Sequence, residues 1–334
     1  MWGYVKFALA AAFAAGTLMF PAQALEAARN AMEVWFYSVA PALFPFAAVM
    51  PYLTSPQARH VYDKLLGGAV RRLFRLPGRC ASAVVTGMLA GSPAGALATA
   101  RVAAAEGLSR GQAARLAGIA CGVGPVYIIS GIGAALLDSA RVGWQLAISQ
   151  WLALVITGML FSRAWAGEPP TETQAPSAGE ERPVQAAVMA VLKVCGYMLL
   201  FSVGIAVLGE MLGRELGLVG LVADLPSGAA ALAQRAVAWR EPALAVGVGL
   251  GGLCIAAQNM SVLGTVGVTW GKYLAQKLTT GIVSGLVFVA LTEIDIGGVA
   301  LGIDGREYEV ALLALALLMM PVLMGFLRKR NAKC

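Results

Sequence analysis

The sequence predicts an all-α polytopic membrane protein, with about eight transmembrane helices plus two re-entrant hairpins in two inverted repeats. Three observations carry this. Of 334 residues, 59% are hydrophobic and 13% charged, with a mean hydropathy of +0.74; soluble domains carry roughly 25% charged residues. Apolar runs of about 18 residues or more, enough to cross a hydrocarbon core, recur from end to end. The basic residues sit in short segments between those runs, as the positive-inside rule requires. The net charge of +7 therefore does not signal nucleic acid, because no aromatic-interleaved basic face is present to grip phosphates.

The spans read at 4–22, 37–54, 117–137, 144–162, 187–211, 242–266, 270–292 and 310–327. The first has two readings. Lys6 precedes an apolar stretch ending at Ala22-Gln23-Ala24, the pattern of a secretory signal with an A-x-A cleavage site. The length of the run and the membrane segment that follows favour an uncleaved span. Residues 82–100 are apolar but interrupted by Gly91-Ser92-Pro93-Ala94-Gly95, and residues 225–238 are apolar but too short to cross alone. Residues 167–183 are rich in Pro, Glu, Thr and Ser and read as a flexible aqueous linker. The organisation expected is an N-terminal transmembrane helix at 1–30, repeats at 31–162 and 186–292, and a polar cytoplasmic linker at 163–185. Residues 293–334 then supply an outer loop, a last span and a basic cytoplasmic tail.

The halves resemble each other. At one constant spacing Pro93 meets Pro226, Gly118 meets Gly251, Cys121 meets Cys254, Pro125 meets Gln258 and Gly131 meets Gly264. Weak internal symmetry with a Gly/Pro-interrupted apolar segment in each half is the sequence signature of transporter repeats. Charge tests the idea independently. Segment 56–79 carries Arg59, Lys64, Arg71, Arg72, Arg75 and Arg79 against Asp63, and segment 101–115 carries Arg101, Arg110 and Arg115 against Glu106. The tail carries Arg328, Lys329, Arg330 and Lys333, whereas 293–309 is acidic. If 82–100 enters and leaves on one face, both basic segments and the tail are cytoplasmic and the acidic segment is outside. The same reading of 225–238 leaves both termini inside and the second repeat inverted.

Irregular backbone at membrane depth is tolerated only where protein buries it or it lines a wet cavity. The candidate solute-binding residues are therefore those at the interruptions. They are Ser92, Pro93 and Gly95 in the first, then Cys121, Gly122, Gly124 and Pro125, and in the second half Gln258, Asn259 and Ser261 after Gly249, Gly251 and Gly252. Leu225-Pro226-Ser227-Gly228 marks a fourth interruption. Helices that start at such breaks present free N–H groups and the positive end of the dipole, which suits an anionic ligand. Each glycine or proline also has a simpler reading as a kink or packing notch, but two adjacent amides inside an apolar span require partners. Lys193 and Glu210 lie toward the ends of the 187–211 span, where snorkelling accounts for them. Trp35, Trp144, Trp151, Trp165, Trp239 and Trp270 read as interfacial anchors.

Catalysis is poorly provided for. His60 is the single histidine and lies in a basic segment, and Cys80, Cys121, Cys195, Cys254 and Cys334 are scattered without a C-x-x-C pair. No P-loop, H-E-x-x-H or paired intramembrane carboxylates appear. No enzyme activity, metal or cofactor is expected. The partners expected are the lipid bilayer and a small polar or anionic solute, with a homo-oligomer left open.

The run from Trp35 to Phe161 resembles the sporulation integral membrane proteins of the YlbJ (SpoVV) type, within the nucleoside recognition or Gate-domain group. The residues that carry the resemblance are PALFPF at 41–46, FRLPG at 74–78, GSPAGALATAR at 91–101, Arg115-Leu116, and the Gly-x-Gly-Pro at 122–125. Gly251-Gly252-Leu253 leading to Gln258 extends it into the second half. The resemblance implies a fold similar to concentrative nucleoside transporters, a cell-membrane location that includes the forespore membrane, and transport of dipicolinate or a nucleoside-like solute. The chain departs from the family's pattern at Ser92 and Leu97, where Tyr and Lys are usual, and at Cys121–Gly124 and Leu225–Gly228, which lack the usual polar residues. Two function classes stand: a transporter or permease-like protein, and a structural or assembly protein that keeps the fold without the site.

Overall fold

The computed structural model describes residues 2–53, 55–170, 183–213 and 217–293. Most of the linker, the acidic segment, the last expected span and the basic tail lie outside the described residues. Helices make up the regular structure of the described part, joined by one isolated bridge between Ser109 and Pro170.

α1 (Trp2–Met19) leads into α2 (Pro21–Val34), which opens on a proline whose missing amide costs nothing there. α2 continues through a π-helical stretch, Trp35–Val39, into α3 (Ala40–Leu53). The expected 37–54 span is thus the second part of a longer rod. The widened turn lies directly before Pro41, whose ring has no room against a regular preceding turn.

The basic segment at 56–79 is largely helical rather than a loop. α4 (Pro56–Phe74) is capped by the Ser55 hydroxyl, which accepts from Ala58 N at 3.3 Å, and it ends at Arg75 in the left-handed region. Ala58, Tyr62, Gly67, Val70 and Phe74 are buried at helical spacing, while Leu65, Leu66 and Leu73 are exposed beside Lys64, Arg71 and Arg72. That three-sided pattern suits a helix lying in the membrane interface, and charge counting alone conceals it.

α5 (Ala81–Ala90) and α6 (Ala94–Ala105) pack against one another as an antiparallel hairpin, turning at residues 91–93. α7 (Arg110–Ala120) starts on a full capping box, Ser109 with Gln112. The chain is then non-helical at 121–124, resumes at Pro125, and passes through a π-helical segment, Tyr127–Leu136, so the expected 117–137 span is broken. α8 (Ala140–Leu160) and α9 (Pro183–Leu212) are continuous. α10 (Gly217–Ala223), Asp224 and α11 (Leu225–Ala233) make a second, smaller hairpin. α12 (Arg240–Leu250) breaks at Gly251 before α13 (Gly252–Leu263), which closes in a 3-10 turn at Gly264–Val266, and α14 (Trp270–Glu293) follows. Among the described residues, five runs are long and apolar enough to cross a membrane: Pro21–Val49, Ala140–Leu160, Ala187–Leu212, Arg240–Val266 and Trp270–Thr292. Phe7–Met19, Ala94–Ala105 and Tyr127–Leu136 are shorter apolar helices.

Each half repeats one order: hairpin, broken helix, long helix. The cross-packing is reciprocal. α6 meets α13 while α11 meets the π-helical segment, α7 meets α14 while α12 meets α8, and α8 packs along α14. The breaks fall at 121–124 and at Gly251, so the constant spacing that pairs Cys121 with Cys254 lays the first break on the body of α13. The halves need a gap to align. The mouth of the first hairpin, the start of α7, the end of α8 and the start of α14 share one end of the bundle. There Arg79 pairs with Glu106 at 3.1 Å, Arg110 N donates to the Pro169 carbonyl at 3.2 Å, and Lys272 pairs with Glu168. The second hairpin opens at the opposite end, where Arg240 donates to the Ala233 carbonyl at 3.3 Å and α14 leaves against the start of α12.

Close backbone approach fixes the first hairpin. A Cβ at Gly95 would lie 1.7 Å from the Ala120 carbonyl oxygen, and one at Gly91, whose φ is +68°, would lie 2.3 Å from Gly124 N. Backbone cannot swing away as a side chain can. Gly95→Leu is expected to leave little monodisperse protein on size exclusion in detergent. Gly68→Ala, where a Cβ meets nothing within 4 Å, should behave as the parent. Comparable yield of the two would show that α6 and α7 are not so closely apposed.

Candidate solute site at the helix breaks

The first break keeps its backbone satisfied by side chains from elsewhere. Ser92 N donates to the Gly122 carbonyl at 2.8 Å, tying the hairpin tip to the unwound segment. Gln150 of α8 brackets Val123: its Oε1 accepts from Val123 N at 2.9 Å and its Nε2 donates to Val123 O at 2.8 Å. Lys277 of α14, only 3% exposed, donates from Nζ to the Cys121 carbonyl. Peptide groups unpaired at membrane depth each cost several kcal/mol, and these partners are what makes the unwound stretch affordable.

One amide ties the tip of the first hairpin to the second half. Asn259 of α13, fully buried, donates from Nδ2 to Ser92 Oγ at 2.9 Å and to the Tyr273 hydroxyl at 2.7 Å. Its Oδ1 is buried with no protein partner. Gln258, one residue earlier, is 6% exposed and donates to Cys254 Sγ at 3.5 Å. Ser261 is not brought to the others: it is exposed, and its hydroxyl bonds the Gln258 carbonyl of its own helix at 2.7 Å. Pro93 and Pro125 open helices, and Gly95 is a packing contact. Cys121 and Gly122 take part through their carbonyls rather than side chains.

The second hairpin turns on a residue that the sequence reading passed over. Asp224 is fully buried and caps α11, its Oδ2 accepting from Ser227 N at 3.2 Å and from Ser202 Oγ at 3.4 Å. Ser202 and Ser227 hydroxyls are 3.0 Å apart. Oδ1 has no partner, nor has the buried Tyr127 hydroxyl on the facing π-helical segment. An Asp directly before Leu-Pro-Ser is a helix N-terminus signal, and it was available in the sequence. Lys277, Gln150 and Tyr273 gave less signal, because a lone polar residue in an apolar span does not reveal which helix it faces.

These groups lie on a seam between two apolar cores. One gathers the first hairpin and α7 with Met260, Leu263 and Tyr273, and the other gathers Val123, Tyr127 and Leu225 with Leu244 and Phe288. At the seam is a cavity of about 30 Å³, lined among others by Ser92, Gly124, Tyr127, Pro226, Cys254 and Gln258. That is room for one or two waters, so both hairpins and both broken helices close on a small space. A larger crevice of about 560 Å³ lies on the far side of the second hairpin, lined by Gln23, Glu26, Asn30, Glu210, Gly228 and Arg235 among others.

No protein-family model matches the chain, and no solved structure matches it. Over 139 residues the chain is 30% identical to "Sporulation integral membrane protein YlbJ" of Bacillus subtilis (strain 168). The aligned stretch is 42% of this chain and 34% of that protein, so the chain spans about a third of the relative's length. Over the aligned stretch the chain is therefore similar to that sporulation integral membrane protein, and an all-helical bundle with apolar helices agrees with a membrane protein of that kind.

Proposed function

We propose that this protein is a transporter or permease-like carrier that moves a small polar or anionic solute across the cell membrane during sporulation. The observation that carries the reading is the Asn259–Ser92 hydrogen bond, 2.9 Å long between residues 167 apart in sequence. It joins the tip of one hairpin to the broken helix of the other half, beside a cavity that both halves line. The reciprocal packing and opposite hairpin mouths support two inverted repeats around that cavity. With the basic segment 56–79 and the basic tail inside, eight crossings place both termini in the cytoplasm and the last crossing at 310–327. Alternating access would open one hairpin or the other. Dipicolinate and nucleosides, which the family resemblance implies, are the first probes.

The test is uptake of labelled dipicolinate and of a labelled nucleoside into proteoliposomes. Uptake of at least one is expected above protein-free vesicles, and Gln258→Ala with Asn259→Ala is expected to return it to background. Normal flux in that double variant removes both residues from the site. The size of the cavity favours one rival, a structural or assembly protein that has kept the fold, since solute pockets measure roughly 300–1,000 Å³. The rival expects no solute-dependent rise in melting temperature, whereas a carrier gains stability from its ligand.

A further inference from the structure

We propose that Asp224 is a protonation site that latches the second hairpin, neutral when the hairpin is closed and ionised when it opens. The geometry distinguishes this from a plain helix cap. Capping uses one carboxyl oxygen, and an Asn or Ser in this position would cap as well without bringing a charge. Here Oδ2 holds the cap and the Ser202 hydroxyl, while Oδ1 is buried with no partner. An isolated carboxylate in such a place is costly, and an ionisable residue inside a membrane domain is a functional site by default.

The surroundings select a proton over a metal ion. The side-chain oxygens gathered here are two serine hydroxyls already bonded to each other. A hard cation takes about six oxygens. The titratable groups on the facing elements are the Cys254 thiol of α13 and the Tyr127 phenol, which line the central cavity together with Pro226 of the hairpin. The charged side chains of the neighbouring elements turn elsewhere. Glu26, Glu210 and Arg235 line the crevice beyond the hairpin, and Arg240 pairs with Glu241 at 2.6 Å.

The latch has somewhere to lead. Pro226 lines the central cavity and Gly228, two residues on in α11, lines the outer crevice. A Cβ at Gly228 would lie 2.3 Å from Leu221 Cα, so the two arms touch there. Parting them joins crevice to cavity and lets water reach Asp224. The proton then leaves to that water, and the carboxylate, now hydrated, holds the arms apart. Binding a proton from the outer side reverses the step. The latch gives the proposed carrier a proton coupling, and in that purpose it rests on the transport reading; the protonation itself does not.

Cys254 reports on the gap, because it lines the central cavity together with Pro226 of the hairpin. With the other four cysteines replaced by alanine, the rate of maleimide labelling at Cys254 is measured against pH and normalised to the denatured protein at each pH. The normalised rate is expected to rise about tenfold or more from about pH 5 to about pH 9 with Asp224 present. In Asp224→Asn it should stay at the protected level throughout. Ser202→Ala removes a donor to the ionised form and should move the midpoint to higher pH, a shift that a purely structural cap would not produce. A pH-independent rate in the parent, a pH response that survives Asp224→Asn, or an unmoved midpoint in Ser202→Ala each overturns the proposal. Protection that follows sodium instead of pH makes the site a cation site and also overturns it. Labelling that follows pH in a protein without uptake would leave the latch standing and the carrier reading refuted.

Discussion

Gln150→Leu is expected to destabilise the protein by about 2–6 kcal/mol, the sum for two stranded peptide groups at about 1–3 kcal/mol each. Leucine matches the side chain in size but can neither accept from Val123 N nor donate to Val123 O, both now held at 2.9 and 2.8 Å. Both groups sit in a segment where no helix can take them, and Gln150 is 1% exposed, so water does not replace it without opening the fold. Ser149→Ala on the same helix is the comparison. Its hydroxyl only adds a second bond to the Gln145 carbonyl, and its loss should cost well under 1 kcal/mol by the usual net value of such a bond. Melting temperature in detergent reads the difference. A variant with Cys121 as its single cysteine localises it, since Cys121 opens the unwound segment and is buried. Labelling at Cys121 should rise with Gln150→Leu before global unfolding. An unchanged melting temperature with Cys121 still protected would mean that the first break is supported by other contacts.

How much of this could be read from the sequence follows from what each signal measures. Glycine and proline report on backbone geometry, and the interruptions at 91–93, 121–124 and 251 fall where those residues cluster. Hydropathy reports on length and burial, and it placed α8, α9 and α14 with their ends nearly right. It failed at α4, because Arg59, Lys64, Arg71 and Arg72 hid a buried stripe that only helical spacing reveals. It also failed at Pro21–Leu53, where prolines inside a helix look like boundaries. The candidate site was half legible. Ser92, at the first interruption, meets Asn259, a polar residue in the helix that follows the break at Gly251. Asp224 is hidden because it stands just outside the apolar run that begins at Leu225, and Lys277 because one charge in a long apolar run leaves hydropathy almost unchanged. Pairing across 156 residues, as between Lys277 and the Cys121 carbonyl, is tertiary information that no local pattern carries.

Lys277→Met is expected to keep the fold and to lower uptake of an anionic solute by at least about tenfold, or 1.4 kcal/mol. Lys277 is nearly fully buried, its ammonium group lies 5.7 Å from the centre of the Tyr273 ring, and no carboxylate among the described residues pairs with it. Two terms oppose in the empty protein. Removing the ammonium group leaves the Cys121 carbonyl without its donor, at about 1–3 kcal/mol, while deleting an unpaired buried charge returns a desolvation cost of several kcal/mol. The melting temperature should therefore hold or rise. A charge retained against that balance is accounted for if an anion at the breaks supplies the missing partner, with the dipoles of the helices starting at Ala94, Leu225 and Gly252 adding to the attraction. The two effects separate in one experiment on dipicolinate and a neutral nucleoside. An electrostatic role predicts that Lys277→Met loses dipicolinate uptake far more than nucleoside uptake, with stability intact. A strut for the Cys121 carbonyl predicts the reverse: a lower melting temperature, and any remaining uptake reduced equally for both solutes.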